Sequence, residues 1–186
     1  MKLSIITVCY NNLEGLKRTY KSIVVQTVRK EFEWIIIDGN SSDGTKEFLQ
    51  EHDNEIDYWS SEPDSGIYNA MNKGVKHSKG EYCLFINSGD LLYKPTAIAQ
   101  SISYLDDGTD IISGNLITYN PINLTKVEYV VPERLTLYDL YTSYIPHPST
   151  FIRTHNLKEH PYDENYKIVS DWIFFCKRNN LQKSIV

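Results

Sequence analysis

An α/β fold with a mostly parallel central sheet flanked by helices is the architecture this sequence predicts, and three observations predict it. Apolar runs alternate with segments of helical periodicity throughout the first ninety residues. The second run, residues 32–37, is nearly continuously apolar, as a strand covered on both faces is. Each of the four runs stops at a polar cluster, at residues 10–12, 38–43, 62–66 and 87–90, and three of these clusters carry an aspartate. Parallel strands joined by helices bring all four clusters to one rim of one sheet, where the ligands of open α/β sheets bind. Several acidic groups converging there point to a bound cation, and a cation points to a phosphorylated ligand.

Residues 3–9 are rich in β-branched side chains and close at Asn11 and Asn12, good helix N-cap types. Leu13, Leu16, Tyr20, Ile23 and Val24 recur at helical spacing, predicting an amphipathic helix from 13 to about 27. The strand 32–37 follows, and Asp43-Gly44-Thr45 opens a second helix with Phe48 and Leu49 inward. Residues 56–59 form a third strand. Ile67, Ala70, Met71, Gly74 and Val75 mark a third helix ending near Lys79-Gly80, and residues 81–86 a fourth strand. Beyond Asp90 the rhythm changes. Pro95 opens a helix with Ile98, Ile102 and Leu105 on one face; 111–118 and 126–131 read as strands separated by a turn at Asn120-Pro121; 136–141 reads as a short helix. Pro146-His147-Pro148 starts a loop leading into a strand over 149–153, and a last helix covers 171–177.

The chain of 186 residues is long enough for one core, and one domain over 1–186 is expected, with a nucleotide-binding half to residue 92 and a more irregular half over 93–186. Hydrophobic residues at 41% and charged residues at 23% argue against disorder, and a net charge of -5 against a nucleic-acid binder. Three scattered cysteines, Cys9, Cys83 and Cys176, are too few for a disulfide framework or a zinc cluster, which fits a reducing, cytoplasmic compartment. No apolar run approaches the ~20 residues of a membrane span, and the first strand is too short for a signal peptide.

The first strand is followed by Cys9-Tyr10-Asn11-Asn12-Leu13-Glu14-Gly15, so neither a dinucleotide-binding glycine fingerprint nor a phosphate-binding P-loop is present. A divalent cation on carboxylates is the alternative holder of phosphate, because Mg²⁺ and Mn²⁺ prefer oxygen ligands and bridge phosphate oxygens. Asp90, after an apolar strand and the small residues Ser88-Gly89, is the foremost metal ligand. Asp38, Asp64 and Asp90 each also suit an ordinary turn or cap; their joint placement at three strand ends is what favours a site.

These residues resemble the family 2 glycosyltransferases that use nucleotide-sugar donors and have the GT-A fold. Ser4-Ile5-Ile6-Thr7-Val8-Cys9-Tyr10-Asn11 resembles their opening strand, and Ser22-Ile23 with Gln26-Thr27 the end of their first helix. Asp38-Gly39-Asn40-Ser41-Ser42-Asp43-Gly44-Thr45 is similar to their second block. Asp64-Ser65-Gly66 with Tyr68-Asn69-Ala70 and Asn72-Lys73-Gly74 is similar to the third, and Asn87-Ser88-Gly89-Asp90 to their metal motif. The blocks cover about half the chain, in order, and their wording is nearest to bacterial enzymes of capsule, exopolysaccharide or O-antigen synthesis.

The resemblance implies an inverting transfer of a hexosyl or N-acetylhexosaminyl group from a nucleotide-diphosphate sugar, UDP-linked, to a saccharide or lipid-linked acceptor. Thr7, Tyr10, Asp38, Asp64, Asn72, Asn87 and Ser88 are the expected nucleotide-sugar contacts, with Asp38 accepting the N3–H of a uracil. Asp90, with His147 as a second ligand, would hold Mn²⁺ or Mg²⁺. Asp171, in Ser170-Asp171-Trp172, is the expected general base, and Trp172 with Tyr138, Tyr141 and Tyr144 an acceptor platform. Read without the resemblance, Asp171 is equally a helix N-terminal carboxylate. A lipid-linked acceptor would bring the protein to the inner face of the membrane.

Two departures from the family pattern stand out. The metal motif usually reads Asp-x-Asp-Asp, and here only Asp90 of its carboxylates remains; the second block often has two consecutive aspartates, and here Gly39 follows Asp38. The ending at residues 181–186 reads as the start of another strand, so relatives are expected to continue over the acceptor site. A catalytically weak or inactive nucleotide-sugar-binding subunit is the alternative these features keep open.

Overall fold

The computed structural model describes residues 1–105, 108–120, 122–132, 136, 138 and 145–177. Its strands are β1 (Leu3–Cys9), β2 (Phe32–Asp38), β3 (Tyr58–Ser61), β4 (Tyr82–Phe85), β5 (Ile111–Ser113), β6 (Leu116–Asn120), β7 (Thr125–Tyr129) and β8 (Thr150–Arg153). Its helices are α1 (Leu13–Val24), α2 (Thr45–Glu51), α3 (Ile67–His77), α4 (Ala97–Ile102), α5 (Thr154–Glu159) and α6 (Ser170–Cys176). Six strands form one sheet in the order β3-β2-β1-β4-β8-β5. β1 to β4 are mutually parallel, and β8 runs antiparallel between β4 and β5. The chain moves outward from β1 through β2 to β3, then crosses to β4 on the other side of β1. That reversal opens a crevice beyond the carboxyl ends of β1 and β4.

Both sheet faces are covered, which is why the strands read as unbroken apolar runs. Ile6, Val8, Ile35, Ile37 and Phe85 point to one side and pack with Met71 and Val75 of α3 and Phe174 and Phe175 of α6. Leu3, Ile5, Trp34, Ile36 and Leu84 point to the other, against Leu16 and Ile23 of α1, Leu49 of α2 and Ile98 of α4. The fully buried Trp34 needs a partner for its ring N–H. It donates to Thr7 Oγ1 at 3.0 Å, and Thr7 in turn donates to the Ile86 carbonyl at 2.7 Å.

Several boundaries differ from the sequence expectation. The strand expected over 111–118 is two strands. At Gly114 the chain leaves the main sheet, its N–H donating to the Ser149 carbonyl at 2.8 Å, and β6 pairs with β7 as a separate hairpin. β3 lies two residues later than expected, because Asp57 binds back to the backbone of Trp34 and Ile35 pairs with Tyr58. Helix α5 was not foreseen; it starts directly after β8 with no turn residue between them. The helix expected over 136–141 lies largely outside the described residues.

Candidate functional site

The four strand-end clusters meet at one rim and are laced together by hydrogen bonds. Asn11, held at φ 47°, donates its N–H to Ser41 Oγ at 2.7 Å and accepts the Ser42 N–H at 2.9 Å. Asn12 caps α1 through the Gly15 N–H at 3.1 Å, and its amide donates to the Ser88 carbonyl at 2.9 Å. Asp43 serves two helices at once, accepting from Leu13 N at 2.8 Å and from the Thr45 hydroxyl at 2.6 Å. Burial works against its charge, yet these donors hold its carboxyl below the ordinary range. These polar residues look like loop filler in sequence. Their hydrogen bonds fix the rim.

Asp38 is fully buried. Its carboxylate accepts from the Ser41 N–H at 3.0 Å, the Ser41 hydroxyl and the Ser61 hydroxyl at 2.7 Å, so it holds the 39–41 loop from beneath. Above it, a Cβ at Gly39 would lie 2.7 Å from Asp64 Oδ2 and 3.1 Å from the Tyr10 ring. The missing side chain is what lets Asp64 and the exposed Tyr10 converge there. Asp64 is fixed by the Gly66 N–H on its Oδ1 at 2.9 Å.

Three expected nucleotide-sugar contacts, Asp38 among them, have buried side chains bonded within the fold. Thr7 is fully buried, with its hydroxyl taken by Trp34 and Ile86. Asn72 is buried and uses its amide on the Tyr162 backbone and on Glu164, tying α3 to residues 162–164. The resemblance of their blocks places all three at the ligand, while the local environment makes each side chain a satisfied buried group.

The turn Asn87–Asp90 sits in the crevice between β1 and β4. Thr19, buried on α1, staples it by accepting the Gly89 N–H at 2.9 Å and donating to the Asp90 carbonyl at 2.8 Å. Thr19→Val removes both bonds at constant shape. A loss of about 1–3 kcal/mol is expected, read as a lower denaturation midpoint; an unchanged midpoint would show that the staple contributes nothing. Burial pushes the Asp90 carboxyl above the ordinary range, and His147 and the Asn87 N–H pull it back only part of the way. Asn87 Oδ1 is buried without a partner.

Beside this turn the two halves of the chain join. Asn87 Nδ2 lies 3.2 Å from His147 Nε2, and His147 Nδ1 lies 3.4 Å from Asp171 Oδ2. Tyr68 donates to Asp171 Oδ1 at 2.7 Å. Burial disfavours the Asp171 charge, but His147 and Tyr68 more than offset it and hold the carboxyl below the ordinary range. Asp171 is therefore ionised at neutral pH and partly exposed, with 20% of its side chain accessible. Both ring nitrogens of His147 are engaged by protein groups, which corrects its expected place among the metal ligands.

The shared-ion expectation also needs correcting. Asp38 faces serines, Asp64 faces Tyr10, and Asp90 lies in the crevice; among the described residues no three His, Cys, Asp or Glu side chains converge as a metal cluster. What fits a hard cation is smaller: the Asp90 carboxylate and the orphaned Asn87 amide oxygen in the same turn, both oxygen donors. Trp172 is exposed next to Asp171 and Tyr138 is exposed, while Tyr141 and Tyr144 lie outside the described residues. Among the described residues no helix is long and apolar enough to cross a membrane.

Comparisons with known proteins bear on the family and the fold. Residues 4–175 match the model of glycosyl transferase family 2. An uncharacterized glycosyltransferase of Mycobacterium tuberculosis, Rv1514c, is 32% identical over 179 residues, covering 94% of this chain and 68% of that protein. The crystal structure of Staphylococcus aureus TarS 1-349 in complex with UDP-GlcNAc is similar with a TM-score of 0.80 at 22% identity, over 100% of this chain and 56% of that one. A mannosyltransferase from Pyrobaculum calidifontis, in complex with GDP-Man and Mn²⁺, is similar with a TM-score of 0.72 at 15% identity, over 100% and 54%. The fold is the GT-A arrangement of these transferases, and the chain spans little more than half of either solved structure.

Proposed function

The chain belongs to glycosyl transferase family 2, and from that premise we propose that it moves a hexose or N-acetylhexosamine from a UDP-linked donor to a saccharide or lipid-linked acceptor, with inversion, in cell-surface polysaccharide synthesis at the cytoplasmic side of the membrane. The observation that carries this reading is the line Asn87–His147–Asp171, which sets an ionised carboxylate one imidazole away from the crevice turn. The division of labour follows the sheet: residues to about 92 hold the donor and later residues present the acceptor. Tyr10 and Asp64, converging over Gly39, meet the base and ribose, and Asp38 supports their loop from below. Asn87 and Ser88 face the diphosphate. Asp90, with the Asn87 amide oxygen, would hold Mn²⁺ or Mg²⁺, which when bound neutralises charge on the departing diphosphate. Asp171 takes the proton of the acceptor hydroxyl as that hydroxyl attacks.

A thermal-shift screen of UDP-, GDP-, dTDP- and CDP-sugars with and without Mn²⁺ tests the donor. A ligand at a hundredfold its Kd stabilises the native state by about 2.7 kcal/mol. UDP-sugars are expected to give the largest rise in Tm, and Asp90→Ala to remove the Mn²⁺-dependent part. No shift with any donor, together with no turnover, overturns the proposal. The single carboxylate in the turn also suits a subunit that binds the donor without using it. Slow Mn²⁺-dependent hydrolysis of the sugar nucleotide separates the enzyme from that binder.

A further inference from the structure

Tyr68 is buried at the start of α3, yet its hydroxyl reaches two oxygen atoms of the acceptor half. It lies 2.6 Å from the Ile168 carbonyl and 2.7 Å from Asp171 Oδ1. A phenol has one proton, so only one of these contacts can be a bond that Tyr68 donates. While Asp171 is ionised the proton belongs on the carboxylate side, where charge strengthens the bond. The Ile168 carbonyl then faces the phenol oxygen with no proton between them. The proton of an acceptor hydroxyl arrives on a carboxylate lone pair that Tyr68 does not occupy, so the phenol goes on donating to Oδ1 once Asp171 is protonated. Both protonation states use the same heavy-atom positions.

We propose that Tyr68 is a positioning residue for the transfer, a hydrogen-bond donor that holds Asp171 in one place before and after it takes the acceptor's proton. This deepens the proposed function and rests on it. In the step, the acceptor oxygen bonds to the anomeric carbon as the bond from that carbon to the diphosphate oxygen breaks. The nucleoside diphosphate leaves with the electron pair, and the hydroxyl proton passes to Asp171. Nothing is oxidised or reduced. Tyr68 exchanges no proton with substrate. It goes on donating to Oδ1, so the protonated base need not swing away or lose its partner. The ring is held for this by Tyr162, at a centroid distance of 5.4 Å.

The groups that face Asp171 are His147 from the turn before β8, Tyr68 from α3, and Tyr162 from the segment before α6. Tyr68→Phe keeps the ring packing and removes only the hydroxyl. With that donor gone the carboxyl holds its proton to higher pH, so the acid limb of the activity profile moves upward. The expected shift is about one pH unit, with kcat reduced about tenfold and the donor KM within about twofold of wild type. The ¹³C carboxyl signal of labelled Asp171 should titrate upward by the same amount, and this readout needs no activity. Equal melting temperatures for variant and wild type keep the result from being a folding defect. An unmoved acid limb together with an unmoved ¹³C titration overturns the role of Tyr68. Absence of donor binding and turnover in wild type instead overturns the proposed function, and the ¹³C titration still reports on the contact.

Discussion

Replacing Asp171 by asparagine is expected to reduce sugar transfer by about 10²–10⁴-fold, the range for loss of a positioned general base, while leaving donor binding within about twofold. The substitution keeps shape and one acceptor. An asparagine oxygen at the Oδ1 position would receive the Tyr68 hydroxyl, now at 2.7 Å from Asp171 Oδ1, but it cannot take up the proton of an attacking hydroxyl at neutral pH. On its other side the new amide N–H would face His147 Nδ1. A half-turn of the new amide relieves this contact: its oxygen accepts the His147 Nδ1–H, its N–H donates to the Tyr68 oxygen, and the Tyr68 proton turns to the Ile168 carbonyl, so Asn87 is undisturbed. The crevice turn is thus left in place, and its staple through Thr19 does not involve Asp171. Turnover under saturating acceptor, measured beside the Tm shift with the UDP-sugar, checks both halves of the expectation. Turnover at the wild-type rate would remove Asp171 from the mechanism. Loss of donor binding along with turnover would make it a structural carboxylate at the start of α6, the other reading of its position.

Much of this arrangement was legible because strand and rim obey local rules. A nearly continuous apolar run such as residues 32–37, in alternation with helical segments, reads as a strand covered on both sides, and the polar cluster after it falls at the strand's carboxyl end. The positions of Asp64, Asp90 and Asp171 follow from that logic and from the family blocks. The failures are of a different kind. Thr7 and Asn72 carry no sign in sequence of which way their polar atoms turn; burial decided it, through Trp34 and the Ile86 carbonyl for one and Tyr162 and Glu164 for the other. His147 is an expected metal ligand by the family resemblance, and its neighbours in space, Asn87 and Asp171, lie 60 and 24 residues away in sequence, out of reach of local patterns. The role of Tyr68 depends on a contact across 103 residues, which no periodicity reports. The separation of β6 from β5 turns on Gly114 bonding to Ser149, another long-range choice. Periodicity thus locates elements and rims, and long-range hydrogen bonding decides which polar residues work.

Gly80→Ala should be the most damaging small substitution in the fold, with a loss of about 3 kcal/mol or more. Gly80 links α3 to β4 at the end of the sheet opposite the crevice, next to Ser4 of β1 and Glu33 of β2. A Cβ there would lie 2.5 Å from the carbonyl carbon of Leu3 and 2.5 Å from the nitrogen of Ser4, both backbone atoms of a central strand. A side chain could turn away; β1 cannot, because it is paired on both edges with β2 and β4. Relief must come from moving the 79–80 turn, and that turn is tied down. The Gly80 N–H donates to Ser4 Oγ at 2.8 Å and shares Glu33 Oε1 at 3.2 Å, and its carbonyl accepts from the Thr154 hydroxyl at 2.6 Å. Glu33 is buried and depends on these neighbours, accepting from Ser4 Oγ and Lys79 N at 2.5 Å each. Moving the turn therefore leaves a buried carboxylate short of donors as well as straining the strand. Ser4→Ala separates the two effects, since it removes two hydrogen bonds, the one to Glu33 and the one from the Gly80 N–H, without adding an atom, and about 2 kcal/mol is expected. Denaturant unfolding of both variants gives the comparison. A Gly80→Ala loss no larger than that of Ser4→Ala would mean that the turn yields easily, and that the close approach of its backbone to β1 is not what requires glycine there.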